Sequence, residues 1–272
     1  MPTPISREKP HPAQPDAREI ELPWKTPKPG IEDPKAPGLI DAILKSPEYL
    51  QADQDVAFLQ RDENRGIRLQ LDYLKAERLF AEYGIRHSIV VFGSTRIPEP
   101  GAAQQKVAAL ESRLAGDRIA IITGGGLGLM EAANRGAHDV EAPTVGLNIT
   151  LPHEQYTNPC PTPGLCFRFH YFAVCKLHFL LRARALVVFP GGYSTMYELF
   201  ETLTLVQTRK IPPVPVILVD RSYWERAFDP EFLVAEGIIA PEDRELFWYA
   251  ETAPEIWDDI QRWYRRAGRT LI

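Results

Sequence analysis

From residue 86 onward, short runs of apolar residues alternate with segments in which apolar residues recur at helical spacing. The apolar runs predict buried strands, and the periodic segments predict the helices between them. Such alternation predicts a parallel sheet with helices on both faces, a doubly wound, Rossmann-like α/β fold. The predicted strands cover 88–94, 118–126, 143–149, 185–192 and 214–220, and the predicted helices cover 101–114, 127–138, 169–183, 195–208 and 253–267.

The first 85 residues do not follow this pattern. Residues 1–38 are rich in proline and poor in large apolar residues, so they predict an extended arm. Residues 39–60 predict short helices broken near Ser46-Pro47, and a longer helical pattern then runs to Gly84. The sequence therefore predicts an arm over 1–38, added N-terminal helices over 39–85 and a Rossmann-like nucleotide-binding domain over 86–272.

The composition is that of an ordinary globular protein, with 44% hydrophobic and 25% charged residues. A net charge of −5 argues against a nucleic-acid partner, because protein surfaces that bind nucleic acids are usually strongly basic. We find neither an apolar run long enough for a membrane span nor a secretory signal. The three cysteines are too irregularly spaced for a disulfide framework or a zinc site. These features predict a cytoplasmic protein without a metal or other cofactor.

Three of the predicted strands end in glycine-rich turns, at Gly93-Ser94, Gly124–Gly126 and Gly191-Gly192. The carboxyl ends of parallel strands share one edge of the sheet, and ligands bind beyond that edge where the strand order reverses. The three turns therefore predict the position of the site.

The second turn lies in TGGGLGLMEAANRG, residues 123–136, and offers backbone N–H groups at the start of a helix. Such a helix start suits an anion such as phosphate. A tight turn without a ligand is the alternative. A dinucleotide fingerprint fits less well, because the spacing is G-G-G-x-G and the turn follows the second strand.

The third turn lies in FPGGYSTMYELFE, residues 189–201, and combines two glycines with the hydroxyls of Ser194 and Thr195. Glu198 follows, so the set suits a phosphate monoester beside a catalytic carboxylate. Thr195 and Glu198 also match a capping box, in which the glutamate only satisfies the backbone at a helix start. The motif alone does not decide between the two, but a second glycine turn on the same edge favours phosphate.

Together the two motifs resemble the LONELY GUY family, the cytokinin-activating phosphoribohydrolases, and the resemblance covers about residues 86–265. The resemblance implies hydrolysis of the N-glycosidic bond of a purine or cytokinin nucleoside 5′-monophosphate, giving free base and ribose 5-phosphate. It also implies a homodimer or a higher homo-oligomer. The name lysine decarboxylase, which many members carried, finds no support, since no lysine has a context suited to a pyridoxal Schiff base.

The resemblance also assigns roles to individual positions. Glu198 matches the catalytic carboxylate, which stabilises a ribosyl cation or activates water. Cys175 and Lys176 occupy the position of the family's Arg-Lys pair. The residues expected to hold the nucleotide and its phosphate are Gly93, Ser94, Gly124, Gly125, Gly126, Gly128, Glu131, Gly191, Gly192, Ser194 and Thr195.

Two positions depart from the family pattern. Ser194 replaces a glycine, and its Cβ requires a rebuilt loop if this position needs a positive φ. Cys175 replaces the catalytic arginine, and a thiol supplies neither a permanent charge nor a bidentate fork. The chain is therefore either an enzyme with weakened or altered turnover or a nucleotide-binding protein without turnover.

Four side chains are candidates for further roles at this site. Arg182 could reach inward in place of the arginine that the family carries, with a surface or dimer-facing position as the alternative. Cys175 could act as a nucleophile if its pKa were lowered, with a buried inert thiol as the alternative. Tyr171 and Phe172 could stack on a base, with core packing as the alternative.

Overall fold

The computed structural model describes residues 27, 29–95, 119–150 and 156–271, and its centre is a seven-stranded sheet. Five of the strands correspond to the five predicted ones. The strands are β1 (Ser88–Phe92), β2 (Ala120–Thr123), β3 (Thr144–Ile149), β4 (Cys166–Phe169), β5 (Ala183–Val188), β6 (Val216–Val219) and β7 (Trp248–Ala250).

The strands pair in the order β4-β3-β2-β1-β5-β6-β7, and every neighbouring pair is parallel. The chain therefore builds one half of the sheet outward from β1 and the other half outward from β5. This order confirms the predicted doubly wound, Rossmann-like α/β fold. The strand order reverses between β1 and β5, where a ligand site is expected beyond the carboxyl ends.

Two strands, β4 and β7, were not predicted from the sequence. β4 is only four residues long and follows a proline-rich stretch, so its pattern is weak on its own. Its presence moves the start of the next helix from the predicted residue 169 to Phe172. The predicted helix over 101–114 lies outside the described residues.

The described helices fall into two compact units of the chain. The described residues up to Asn64 form the first unit, which contains α1 (Ala36–Leu44), α2 (Val56–Leu59) and short 3₁₀ helices at Pro47–Tyr49 and Asp62–Asn64. The boundaries predicted at residues 38 and 85 stay predictions. The second unit, Arg65–Ile272, contains α3 (Arg65–Glu82), α4 (Leu129–Asp139), α5 (Phe172–Leu181), α6 (Tyr193–Gln207), α7 (Arg221–Ala227), α8 (Pro230–Ala235), a 3₁₀ helix at Pro241–Leu246 and α9 (Ala253–Arg266).

None of the described helices combines the length and the apolar composition needed to cross a bilayer.

Strand β1 shows why helices cover both faces of the sheet. Successive side chains of a strand point to opposite faces, so neighbours along β1 enter different cores. Val90 packs in a cluster with Phe80 of α3, whereas Ile89 packs in a second cluster with Trp257 of α9. The central strands are therefore apolar on both faces, which is typical of parallel sheets.

Helix α3 fixes both ends of α5. At the first end, the carboxylate of Asp72 accepts the backbone N–H groups of His170 and Tyr171, at 2.8 and 3.0 Å. At the other end, Arg182 donates two hydrogen bonds to Glu77, at 2.8 and 2.7 Å. The position of α5 over the sheet edge thus depends on two carboxylates of α3.

Replacing Asp72 with alanine should lower the free energy of unfolding by about 1–3 kcal/mol, because two backbone N–H groups lose a charged acceptor. Urea denaturation measures this loss. Glu82→Ala, on the same helix, is the control, since its exposed pair with Arg78 should contribute less than about 1 kcal/mol. Equal losses in the two variants would show that Asp72 does not anchor α5.

Candidate functional site

A cavity lies at the carboxyl edge of the sheet, where the strand order reverses. The described residues enclose about 210 Å³ between the turns after β1 and β2, the end of β3 and the starts of α5 and α6. Parallel sheets of this kind bind ligands at this place. The cavity is lined by Phe92, Gly93, Thr95, Gly124, Gly126, Met130, Leu147, Asn148, Ile149, Phe172, Cys175, Phe179, Ser194, Thr195 and Glu198.

Seven of the residues selected from the sequence line this cavity: Gly93, Gly124, Gly126, Cys175, Ser194, Thr195 and Glu198. The others of that set are not among its described lining residues: Ser94, Gly125, Gly128, Glu131, Lys176, Gly191 and Gly192. Gly128 and Gly192 precede the first residues of α4 and α6, and Glu131 pairs with Arg135 along α4. Phe172, one candidate for base stacking, also contributes to the wall. Tyr171, the other candidate, is not among the described lining residues, and its hydroxyl accepts from Arg68 at 3.1 Å.

Ser94 ties the three turns together through its backbone. Its N–H donates to the carbonyl of Pro190 at 3.1 Å, and its carbonyl accepts the N–H of Leu129 at 3.4 Å. The helix after the second turn thus begins against the first turn. A Cβ on Gly93 would lie 2.9 Å from the Cβ of Leu129, so the first turn needs glycine for this close approach.

A buried polar network holds the second turn, and sequence reasoning missed it. The amide of Asn134, on α4, accepts from the hydroxyl of Thr123 at 2.6 Å and donates to the hydroxyl of Thr144 at 2.6 Å. Asn158 donates to both Asn134 and the carbonyl of Gly126, at 2.9 Å each. The sequence signal was a lone asparagine on the apolar face of the helix.

The same network determines the conformation of Gly125. Its N–H donates to the hydroxyl of Thr123 at 2.9 Å, and its carbonyl accepts the N–H of Asn158 at 2.8 Å. Its φ is +72°, and a Cβ there would lie 2.6 Å from the side-chain nitrogen of Asn148. Gly125 is therefore required by the fold of the turn, and its N–H is already used within it.

Helix α6 begins earlier than the capping-box hypothesis requires. Its first residue is Tyr193 and its N-cap is Gly192, so Thr195 lies inside the helix and does not cap it. Glu198 consequently lies in the second turn, where the N-terminal N–H groups are out of its reach. The capping-box interpretation is therefore wrong, because three further residues, Tyr193, Ser194 and Thr195, join the helix. Thr195 and Glu198 instead share a face that is turned to the cavity.

Ser194 is compatible with this backbone, because it adopts a helical conformation. Among the described non-glycine residues, positive φ occurs at Glu141, Arg209 and Asp220 and not at Ser194. The position in this turn that requires glycine is Gly191. A Cβ on Gly191 would lie 2.6 Å from the Cβ of Thr195 and closer still to its hydroxyl.

Glu198 is the carboxyl group among the described lining residues of the cavity. Its side chain is 6% exposed, and burial raises its pKa to about 7, with the charge of Lys176 opposing the rise and that of Glu201 adding to it. A carboxyl with this pKa is present in both protonation states near neutral pH. It can therefore accept or donate a proton under physiological conditions.

Cys175 is a neutral thiol. It is 1% exposed and donates to the carbonyl of Leu147 at 3.5 Å. Burial raises the pKa of the thiol far above its usual range, and the nearby carboxylates of Glu198 and Asp72 raise it further. A nucleophilic cysteine needs the opposite shift, so the structure contradicts the nucleophile hypothesis.

Neither neighbouring cation replaces the lost arginine within the cavity. Lys176 pairs with Glu201 at 2.5 Å, and its ammonium lies 3.4 Å from the ring centre of Tyr197. Burial lowers the pKa of Lys176, but its hydrogen bonds to Glu201 and Tyr197 outweigh that effect and raise it overall. Arg182 binds Glu77, so the hypothesis that it reaches inward is wrong.

Two adjacent glycines allow a matched test of the turn before α6. Gly191→Ala should lower the free energy of unfolding by about 1–3 kcal/mol, because its Cβ would overlap Thr195. Gly192→Ala should change it by less than about 1 kcal/mol, because nothing lies within 4 Å of a Cβ there. Urea denaturation compares the two, and equal losses would contradict the geometry of the turn.

Glu198→Gln should stabilise the fold at high pH. The folded state holds the proton to about pH 7, whereas the unfolded chain releases it near 4.5, so burial of the charge destabilises the fold progressively between these values. The free energy of unfolding of the variant relative to the natural chain should therefore rise by about 1–3 kcal/mol from pH 5 to pH 8. Exposed Glu82→Gln is the control, and identical pH slopes for all three proteins would refute the burial of Glu198.

Comparisons with known proteins agree with the motifs. Residues 130–260 match the family described as "Possible lysine decarboxylase", and residues 86–166 match the "SLOG cluster4 family". The chain is 27% identical over 172 residues to the cytokinin riboside 5′-monophosphate phosphoribohydrolase LOG3 of Arabidopsis thaliana, covering 62% of this chain and 79% of that protein. It is 29% identical over 160 residues to the probable cytokinin riboside 5′-monophosphate phosphoribohydrolase LOGL5 of Oryza sativa subsp. japonica. This match covers 57% of this chain and 64% of LOGL5, which is less than two thirds of the length of LOGL5.

Solved structures are similar to this chain at a lower level. A molybdenum-cofactor carrier protein from Chlamydomonas reinhardtii is 19% identical, covering 66% of this chain and 99% of its own, with a TM-score of 0.44. That likeness is too low to support an inference about function. The sequence matches confirm the resemblance drawn from the two glycine motifs: the chain is related to the LONELY GUY phosphoribohydrolase family at low sequence identity.

Proposed function

We propose that the protein hydrolyses the N-glycosidic bond of a purine or cytokinin nucleoside 5′-monophosphate, giving the free base and ribose 5-phosphate. One observation carries this proposal. A buried carboxyl, Glu198, faces the same cavity as the glycine turns after β1 and β2 and the first turn of α6. The activity named for the curated relatives is of this class.

In this reaction the bond between the anomeric carbon and the base nitrogen breaks, and the base leaves with the bonding electron pair. The ionised Glu198 stabilises the positive charge that develops on the ribosyl group. Water then forms the new bond to the anomeric carbon, and Glu198 accepts its proton. The departing base needs one proton to become the neutral free base, and a carboxyl whose pKa is about 7 can pass on to it the proton taken from water.

The start of α6 supports the phosphate part of the proposal. Its N-cap is a glycine, and among the described residues no side-chain hydrogen bond caps the helix start, so its first N–H groups can donate to an anion. Thr195 and Ser194 line the cavity in the same turn and add two hydroxyl donors. A homo-oligomer and a cytoplasmic location remain predictions from the sequence.

A second candidate function is nucleotide binding without turnover. Cys175 favours it, because a protonated, buried thiol stands where the family has its catalytic arginine. The lost charge removes one means of stabilising the transition state, while the glycine turns remain. In that case the protein binds the nucleotide and releases no base.

Base release from AMP, GMP, CMP, UMP and isopentenyl-AMP, measured by chromatography, separates these functions. We expect the natural chain to release base from a purine or isopentenyl nucleotide and Glu198→Gln to lower the rate by about 100-fold or more. Glu82→Gln should keep full activity, since that side chain is exposed. The rate of the natural chain should rise with pH through about 7, as Glu198 loses its proton.

Two other outcomes would decide differently. If only Cys175→Arg releases base, and the natural chain binds AMP in calorimetry, the protein is a nucleotide-binding relative that lost one catalytic group. If neither protein releases base nor binds any of the nucleotides, the proposed function is wrong for these substrates.

A further inference from the structure

A second cavity, of about 400 Å³, lies between α5, α6 and the loop that leads to β6. Its walls are mainly apolar side chains from both helices and the loop, including Leu177, Leu180, Leu205 and Val214. The volume falls within the range of roughly 300–1,000 Å³ that is usual for small-molecule sites. None of the catalytic or phosphate-binding functions proposed above uses this space.

The charge of this cavity is opposite to that of the whole protein. Four cationic residues line it, and Glu201 is the single carboxylate among the described lining residues, although the chain has a net charge of −5. The cationic residues are Lys176, Arg184, Lys210 and Arg269. A cleft lined by charges of one sign attracts ligands that carry the opposite charge.

Glu201 neutralises only one of these cations, because it pairs with Lys176. Arg184 donates to the ring nitrogen Nδ1 of His87 at 3.0 Å, and Arg269 donates to the carbonyl of Pro213 at 3.1 Å. In the part of the chain that the structure describes, no ion pair joins a carboxylate to Arg184, Lys210 or Arg269. Positive charge beside an apolar cavity is therefore left without a counter-ion from the described residues.

We propose that this cavity binds an amphiphilic monoanion, that is, a small molecule with an apolar body and one carboxylate head. The leucine-rich walls take the apolar body out of water, which favours binding in proportion to the area buried. Lys210 and Arg269, at the rim, hold the anionic head by charge-assisted hydrogen bonds. Both parts of the ligand are needed, because exposed charges alone bind weakly in water.

Calorimetric titration of the full chain with octanoate, octanol and octylammonium tests the proposal. Octanoate should bind at least about tenfold more tightly than either analogue, because only the anion meets the cationic rim. The double variant Lys210→Gln/Arg269→Gln should weaken octanoate binding by about tenfold or more. Arg78→Gln/Arg262→Gln removes the same charge from exposed positions elsewhere and should leave binding unchanged.

Saturating AMP and the Glu198→Gln variant distinguish this cavity from the first one, since neither should alter octanoate binding. Circular dichroism checks that each variant is folded. Three outcomes would overturn the proposal: octanoate binds no better than octanol, the two double variants bind octanoate equally, or AMP displaces octanoate. Because binding is the readout, the result does not depend on whether the protein turns over a nucleotide.

Discussion

The side-chain amide of Asn134 connects the parts of this structure that form the site. It lies in an apolar interior, where an amide without partners would cost about 1–3 kcal/mol, and it satisfies this requirement by bonding to β2, β3 and Asn158. Asn158 in turn holds the carbonyls of Gly125 and Gly126. These hydrogen bonds hold the glycine turn after β2 from the protein interior, and the opposite side of the turn faces the cavity.

The cavity combines a hydrogen-bonded glycine turn with a buried carboxyl group whose ionised form is destabilised. Burial holds the pKa of Glu198 at about 7, so the fold loses stability whenever this group ionises. The neighbouring thiol of Cys175 offers no compensating charge, and Lys176 is occupied by Glu201. A carboxyl kept in this state is typical of functional sites, which sacrifice stability for a pKa matched to the chemistry.

Two consecutive residues of helix α5 face different cavities. Cys175 faces the first cavity, which has an acidic group and apolar walls, whereas Lys176 faces the second, which is cationic. The position of α5 depends on Asp72 and Glu77 of α3. A helix that the sequence places outside the α/β pattern thus supports the element on which both cavities depend.

The sequence by itself determined the parallel sheet and the edge at which the site lies, because strand–helix alternation and glycine turns are local signals. It also selected Glu198 and Thr195 from a motif of fixed spacing. It could not decide the start of α6, the conformation of Ser194 or the partner of Arg182, since each depends on distant contacts. The strands β4 and β7 were not predicted, because a run of three or four residues shows too little alternation of apolar and polar positions. Such short strands form only against a neighbouring strand. The pKa values of Glu198 and Cys175 were likewise decided by tertiary structure, because burial is a property of the packed fold and not of the motif.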